Sequence, residues 1–199
     1  MDVQNAVIET DGLRQFYVGS VVNDYFDFEK FLSLCRSIKK PVIVVGQGVK
    51  SSKAVLEFRA LVDKLNIPVI SSRFGVDILP FSHDRYFGHA GIRGTKLANQ
   101  ILKESDCVIA LGSRLAPAFV GENGELLSPN CAIIAVDLDD GELEKPMPGV
   151  TLPMQGNVKH FISYWLSLAS ATPDYAEWLN DCWVIKRNYV FSESPADDI

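Results

Sequence analysis

The stretch PVIVVGQG, residues 41–48, decides the fold of this 199-residue chain. A short run of β-branched residues closed by glycine is typical of a strand buried on both faces of a parallel sheet. Similar runs recur, and apolar residues at helical spacing lie between them. This alternation predicts an α/β fold, a doubly wound parallel sheet with helices on both faces. The predicted strands are 41–45, 67–71, 107–111, 132–136 and 150–154, and the predicted helices are 28–38, 52–65, 95–104, 157–170 and 175–188.

The ends of the chain differ from this pattern. Residues 1–27 have no sustained period and are predicted to be an extended connection. The helix predicted at 175–188 carries Trp178, Trp183 and Tyr189 on or next to it, and aromatic residues in such a terminal helix mostly pack on their own domain. The last eight residues are polar and acidic, which is typical of a disordered segment or linker.

Composition excludes several classes of function. The net charge of −6 argues against nucleic acid as the main partner, because phosphate binding needs clustered Lys and Arg. We expect no membrane segment, since no run approaches the roughly 18 apolar residues that a span requires. Cys35, Cys107, Cys131 and Cys182 show no ligand-like spacing, so we expect reduced thiols and a cytoplasmic protein.

Glycine closes predicted strands or turns at three places, in GQG at 46–48, GHAGIRGT at 88–95 and GSR at 112–114. In a doubly wound sheet the ligand crevice lies beyond the carboxyl ends of the strands, where glycine lets backbone approach a ligand closely. Three such ends predict a groove for an extended ligand such as a dinucleotide. The candidate glycines are Gly46, Gly48, Gly91, Gly94 and Gly112.

The segment around Gly46 and Gly48 has the strand–glycine–helix context of a phosphate loop. However, Ser51 stands where GxGxxG has its third glycine, and the second predicted strand ends in Ser71-Ser72 rather than an acid. A standard NAD site is therefore disfavoured. A phosphate loop and a tight turn without a ligand both stay open as interpretations.

Two arginines accompany the glycines. Arg93 precedes a helix that Thr95 is predicted to cap, and Arg114 stands just past a buried strand. An arginine at either place can pair with a phosphate or a carboxylate. The other interpretations are a solvent-facing Arg93 and an ion pair between Arg114 and a nearby acid such as Glu122 or Glu125.

Two acids follow the strand predicted at 132–136. Asp137 and Asp139 stand where a carboxylate can accept hydrogen bonds from ribose hydroxyls. Equally, Asp139 or Asp140 can cap the short helix that contains Glu142 and Leu143. Both interpretations stay open.

No residues in the sequence form a catalytic pattern. His83, His89 and His160 are scattered, and none has a Ser, Cys or Asp at the spacing of a triad or metal site. A nucleophile elbow and a Walker A sequence are also absent. We therefore expect structural histidines and a binding domain with no catalytic residue and no metal ligand of its own.

The ordered combination of motifs resembles one family. PVIVVGQGV at 41–49, IPV at 67–69, GHAGIRGT at 88–95 and DCVIALGSR at 106–114 are similar to the central domain of thiamine-diphosphate-dependent enzymes. The acetolactate synthase, pyruvate oxidase and benzoylformate decarboxylase group is the one resembled. The resemblance extends through 133–139 and QGNV at 155–158, and MDVQ at 1–4 resembles the end of the preceding pyrimidine-binding domain.

The resemblance implies a six-stranded, Rossmann-like parallel sheet. It also implies that 1–27 is a linker from a preceding domain, 28–172 the central domain, and 173–199 a C-terminal helix and linker to a following domain. The flanking pyrimidine-binding and diphosphate-binding domains of such enzymes hold thiamine diphosphate and Mg²⁺, in a homodimer or homotetramer. This chain would then be a fragment of a transferase or lyase acting on 2-keto acids, and inactive alone.

The resemblance leaves the ligand of this domain open. The family's central domain binds FAD in some members, an adenine nucleotide such as ADP in others, and nothing in others. Here Leu115-Ala116-Pro117-Ala118 stands where the pattern reads roughly F-D-D-R, and Arg93 replaces a frequent histidine. These departures predict an altered or vestigial nucleotide site. The rival interpretations are a free-standing nucleotide-binding module and, on His89 alone, an NAD-consuming enzyme of sirtuin-like fold.

Overall fold

Six parallel strands form the centre of the fold. A computed structural model describes residues 23–146 and 148–192 of the chain. The strand order is β3-β2-β1-β4-β5-β6, and every neighbouring pair is parallel. The predicted six-stranded parallel α/β sheet is therefore confirmed. The strands are β1 Pro41–Val45, β2 Val69–Ser71, β3 Tyr86–His89, β4 Cys107–Leu111, β5 Ala132–Asp137 and β6 Leu152–Gln155.

The predicted helices are present, and two short helices at 47–51 and 117–120 were not predicted. The helix predicted over 52–65 begins at Val55, because Lys53 takes a left-handed backbone conformation (φ 56°) that separates it from the short helix before it. Thr95 caps the N-terminus of the fourth helix as predicted, accepting a hydrogen bond from the Ala98 amide at 3.2 Å. The helices are α1 Phe28–Ser37, α2 Gln47–Ser51, α3 Val55–Lys64, α4 Lys96–Glu104, α5 Pro117–Val120, α6 Asp140–Glu144, α7 Val158–Ser167 and α8 Ala176–Ser192.

Alternate residues of the buried strands serve two hydrophobic cores. On β1, Ile43 and Val45 face one core and Val42 and Val44 face the other. Side chains of α1, α3 and α7 fill the first core, and side chains of α4 and α8 fill the second. Helices thus cover both faces, which is why β1 and β4 are apolar throughout instead of alternating.

The C-terminal helix α8 completes the second core. Trp178 is 3% exposed, and its indole Nε1 donates a hydrogen bond to the Pro41 carbonyl at 3.0 Å. Cys182 is fully buried, one turn further on. Trp183 packs edge-on against Phe87 of β3, with ring centroids 5.7 Å apart. The aromatic residues at the start of α8 therefore pack on their own domain, as the sequence indicated.

The first described residues are fixed to the other edge of the sheet. The Tyr25 amide donates to the Gln155 carbonyl at 2.7 Å, and the Asp24 carboxylate accepts from the Asn157 amide at 2.7 Å. Phe26 packs edge-on against Phe161 of α7. The expectations for residues 1–22 and 193–199 lie outside the described residues.

The cysteines are structural. All four are unpaired, and Cys35, Cys107 and Cys182 are buried. Burial raises the pKa of Cys35 and of Cys131 to about 12, so neither thiol forms a thiolate nucleophile at neutral pH. Within the described ranges, no helix combines the length and the apolar character needed to cross a membrane.

The ends of β1 and β4 meet through glycine at the point where the strand order reverses. The Gly48 amide donates to the Gly112 carbonyl at 2.9 Å. A Cβ atom on Gly48 would lie 2.6 Å from the Gly112 Cα, and Gly112 itself has φ +55°. Neither position has room for a side chain without moving backbone.

Replacing Gly48 by alanine is therefore expected to lower the free energy of unfolding by about 2 kcal/mol or more, because two backbone segments must separate. Gly149→Ala is the matched control, since its Cβ would meet its nearest neighbour at an ordinary 3.8 Å. Urea unfolding measures both. Equal midpoints for the two variants would contradict the close packing at Gly48.

Removing the Trp178 side chain tests whether α8 belongs to the folded core. Trp178→Ala is expected to cost about 3–5 kcal/mol, because a large buried ring and its hydrogen bond are lost. Val184→Ala, at a position of the same helix that is 40% exposed, should cost under about 1 kcal/mol. A Trp178→Ala variant with unchanged thermal and urea unfolding would show that α8 folds apart from the sheet.

Candidate functional site

A groove of about 960 Å³ lies beyond the carboxyl ends of β1–β4. The loops after these strands supply its walls, as expected for the switch point of a doubly wound sheet. Gly46 and Asp139 are the two predicted site residues that do not line it. The predicted residues that do are Gly48, Gly91, Arg93, Gly94, Gly112, Arg114 and Asp137.

The loop after β1 is a tight turn whose amides are already engaged. The Gly46 amide donates to the Leu111 carbonyl at 3.0 Å, and the Gly48 amide to the Gly112 carbonyl. A Cβ on Gly46 would collide with the Gly112 carbonyl and lie 2.7 Å from the Ser113 Cα. The geometry thus accounts for both glycines through the contact with β4, and a ligand role for them stays a prediction.

The loop after β3 is held by hydrogen bonds at several points. Gly91 has φ +123°, and its amide and carbonyl both bond the Asn99 side chain, at 2.8 and 2.9 Å. A Cβ on Gly94 would lie 2.6 Å from the Ala90 carbonyl carbon. The His89 ring, through Nε2, donates to the Arg93 carbonyl at 3.0 Å and also lines the groove, so the structural role that we expected of it stays a prediction.

Arg114 forms ion pairs, but not with the acids that the sequence suggested. Its guanidinium lies 3.9 Å from Asp139 and 3.8 Å from Glu142, whereas Glu122 and Glu125 were the predicted partners. The reason is the strand order. Since β5 lies directly beside β4, the loop after β4 faces the loop after β5 rather than the residues that follow in its own segment.

Asp137 and Asp139 have different surroundings. Asp139 accepts a hydrogen bond from the Gly141 amide at 3.0 Å and so caps α6, which was one of the two predicted roles. Asp137 ends β5, faces the groove and accepts from the Asp139 amide at 3.1 Å. Burial raises the pKa of Asp137, and the nearby Arg114 guanidinium partly opposes this.

Sequence reasoning missed the residues after β2. Arg73 and Phe74, in the turn Arg73–Gly75, both line the groove. The sequence could have indicated these residues. The carboxyl ends of parallel strands meet at one edge of the sheet, so the residues that follow β2 lie at the same crevice as those that follow β1 and β3.

A second, smaller cavity adjoins the groove. It has a volume of about 200 Å³ and extends toward the end of β6, where Gly156 and Asn157 line it. Gly48, Gly112 and Asp137 line both cavities. The two spaces together reach across the ends of all six strands.

The other histidines form single carboxylate contacts. His83 lies 3.2 Å from Asp63, and His160 lies 2.7 Å from Asp24. Across the described ranges no three His, Cys, Asp or Glu side chains come together as a cation site. The residues that line the groove include three arginines, one carboxylate and apolar side chains.

The doubly wound parallel sheet, with a groove at its switch point, defines a Rossmann-like domain. Comparison with known proteins gives its family. Residues 28–164 match the family described as "Thiamine pyrophosphate enzyme, central domain", and the chain belongs to this family. The resemblance in the sequence motifs is thereby confirmed.

Similar proteins are large subunits of acetolactate synthase. The chain is 35% identical over 157 residues to the acetolactate synthase large subunit of Lactococcus lactis subsp. lactis, a match that covers 79% of this chain and 27% of that protein. It is 31% identical over 175 residues to the Corynebacterium glutamicum large subunit, covering 85% and 28%. It is 31% identical over 180 residues to the isozyme 1 large subunit of Escherichia coli K12, covering 89% and 31%. The chain thus spans about three tenths of the length of these relatives.

The partly buried carboxyl of Asp137 gives a testable prediction. Because its pKa in the folded protein is raised, the ionised form opposes folding once the pH exceeds the ordinary aspartate pKa. Asp137→Asn is therefore expected to unfold at higher urea concentration than the wild type at pH 7. The amide oxygen of asparagine can still accept from the Asp139 amide.

The greater stability of Asp137→Asn relative to the wild type should vanish as the pH falls below about 3.9, where the Asp137 carboxyl is protonated in both the folded and the unfolded state. Asp84→Asn, at an exposed position, is the control and should change stability little. A less stable Asp137→Asn protein at pH 7 would mean that the fold favours the ionised carboxylate, contrary to this account.

Proposed function

We propose that this chain is the central, non-catalytic domain of an acetolactate-synthase-like, thiamine-diphosphate-dependent enzyme that acts on 2-keto acids. Its family membership and its similarity to acetolactate synthase large subunits support this. The proposed division is a linker at 1–27, the central domain at 28–172, and a C-terminal helix and linker at 173–199. The family match over residues 28–164 lies within the proposed central domain.

Thiamine diphosphate and Mg²⁺ belong, in this proposal, to flanking domains. Thiamine diphosphate supplies a carbon nucleophile for 2-keto acids when bound. The described residues offer no cluster of ligands for its metal ion, so they do not fit that cofactor, and the chain alone should be inactive. The complete transferase or lyase would be a cytoplasmic homodimer or homotetramer, and the unpaired thiols support a reducing compartment.

The groove is proposed to bind the adenosine diphosphate part of FAD or ADP. The observation that carries this is a groove of about 960 Å³ at the switch point, lined by three arginines and one aspartate. Its size is at the upper end of the usual range for ligand sites. Arg114 would pair with the diphosphate, Arg93 with an anionic group further along the ligand, and Asp137 with a ribose hydroxyl. Asp139, predicted as a second ribose partner, caps α6 and does not line the groove.

The glycines of the groove would act through close backbone approach. Gly91 and Gly94 lie in the fixed loop after β3, and Gly48 and Gly112 line the junction of β1 and β4. Gly46 packs closely against Ser113 beside this junction and does not line the groove. A nucleotide lying across the strand ends would then meet backbone in the middle of the groove and charged side chains along its walls.

Calorimetric titration of the 199-residue chain with FAD, with ADP and with thiamine diphosphate plus Mg²⁺ tests the proposal. FAD or ADP should bind with a micromolar Kd, and thiamine diphosphate should not bind. Asp137→Asn should weaken nucleotide binding about tenfold by removing a charged acceptor for ribose, while Asp84→Asn should leave it unchanged.

The relative affinities then separate the two nucleotides. FAD binding much more tightly than ADP would identify a flavin site, and equal affinities would identify recognition of the shared adenosine diphosphate. Absence of binding by both at millimolar concentration would refute the nucleotide site. Tight binding of thiamine diphosphate would refute the assignment of that cofactor to other domains.

A further inference from the structure

The groove is positively charged although the chain is acidic overall. Arg73, Arg93 and Arg114 line it, whereas Asp137 is the one acid among the described residues of its wall, and the whole chain carries a net charge of −6. Positive charge concentrated in a cleft raises the local concentration of anions there. The three arginines, however, are not equivalent.

Arg114 is already compensated by its surroundings. Its guanidinium has Asp139 at 3.9 Å and Glu142 at 3.8 Å, so two carboxylates offset one positive charge. Lys145 balances part of this by pairing with Glu142 at 3.0 Å. The β4–β5 end of the groove is therefore close to neutral.

Arg73 and Arg93 have no such compensation. Across residues 23–146 and 148–192, neither guanidinium forms an ion pair or a hydrogen bond. Asp77, four residues after Arg73, is paired with Lys50 at 2.7 Å. The excess positive charge of the groove is thus located at its β2–β3 end.

The backbones that carry these two arginines are fixed. The Ser72 amide donates to the Val45 carbonyl at 2.9 Å, and Gly75 packs so closely on that carbonyl that a Cβ would collide with it. On the loop after β3, the Ile92 amide donates to the Ala118 carbonyl at 3.0 Å. Fixed backbones that present unpaired guanidinium groups lower the entropy cost of binding an anion.

Apolar side chains accompany both arginines. Phe74, next to Arg73, is 67% exposed, and Ile92, next to Arg93, is 64% exposed, and both line the groove. Exposed apolar surface beside unpaired positive charge suits a ligand that has an anionic group on a carbon framework.

The sheet sets the distance between the two ends. Neighbouring strands are about 4.8 Å apart, so β2 and β3 bring Arg73 and Arg93 to one end, and β4 lies about 10 Å from β2. This separation exceeds what the two phosphorus atoms of one diphosphate span. A ligand that pairs with arginines at both ends is therefore expected to carry a further anionic group beyond its diphosphate.

We propose that Arg73 and Arg93 form an anion subsite at the β2–β3 end of the groove, distinct from the Arg114 position. The ligand class is a nucleoside diphosphate extended at its far end by a further anionic group, a phosphate or a carboxylate. The nucleoside diphosphate part rests on the proposed function. The subsite itself rests only on the two arginines and their geometry.

Adenosine polyphosphates and inorganic tripolyphosphate are suitable probes, titrated into the 199-residue chain by calorimetry at 0.15 M salt. Adenosine tetraphosphate should bind at least about tenfold more tightly than ADP, because its added phosphates reach Arg73 and Arg93. Arg73→Gln and Arg93→Gln should each remove most of this difference. Arg114→Gln should weaken both nucleotides by a similar factor.

Arg36→Gln is the matched control, since Arg36 is exposed on α1 and does not line the groove. It should leave both affinities unchanged, which separates a local subsite from general attraction of polyanions. Equal affinity for ADP and adenosine tetraphosphate, or a difference that survives in the Arg73→Gln, Arg93→Gln double variant, would overturn the subsite.

The outcomes also separate the two proposals. ADP binding without any gain from the added phosphates refutes the subsite and leaves the nucleotide site standing. Binding of tripolyphosphate that depends on Arg73 and Arg93, without binding of any adenine nucleotide, supports the subsite and refutes the nucleotide site. Absence of binding by every probe refutes both.

Discussion

The contact between the ends of β1 and β4 is the constraint on which the rest of the structure depends. At this point the chain reverses the direction in which it adds strands. Gly48 and Gly112 let the two backbones touch, and the amide of Gly48 bonds the carbonyl of Gly112. Because these loops meet directly, the groove opens above the junction, and its other walls come from the neighbouring strand ends.

This constraint explains why a glycine motif can resemble a phosphate loop without providing free donors. The amides of Gly46 and Gly48 are used within the protein, so the first loop sets the floor of the groove and offers little recognition. The charged side chains that line the groove lie on the loops after β2, β3 and β4 and at the end of β5. Charge and shape in the groove are thus set by residues that do not hold the sheet together.

The sequence predicted those features of the fold that depend on residues close to one another along the chain. The runs that form β1 and β4 were predicted with the bounds found in the structure, because strands buried on both faces are apolar at every position. The Thr95 cap was equally local. The separation of α2 from α3 at Lys53 was not predicted, since a lysine in the left-handed backbone conformation has no sequence signature. Strand β3, Tyr86–His89, has no β-branched run and was not among the five strands predicted from the residues. Only the family resemblance implied a sheet of six strands.

The candidate site was harder to predict because its contacts join loops that are distant in sequence. Arg114 meets acids of the β5 loop rather than those of its own loop, a pairing that only the strand order reveals. Arg73 enters the groove for the same reason. Substitutions at such wall positions leave the Gly48–Gly112 junction intact, since neither arginine takes part in it. The fold can therefore stay constant while the charge at one end of the groove changes, and in our proposal this unpaired charge, rather than the glycines, sets which ligand the groove selects.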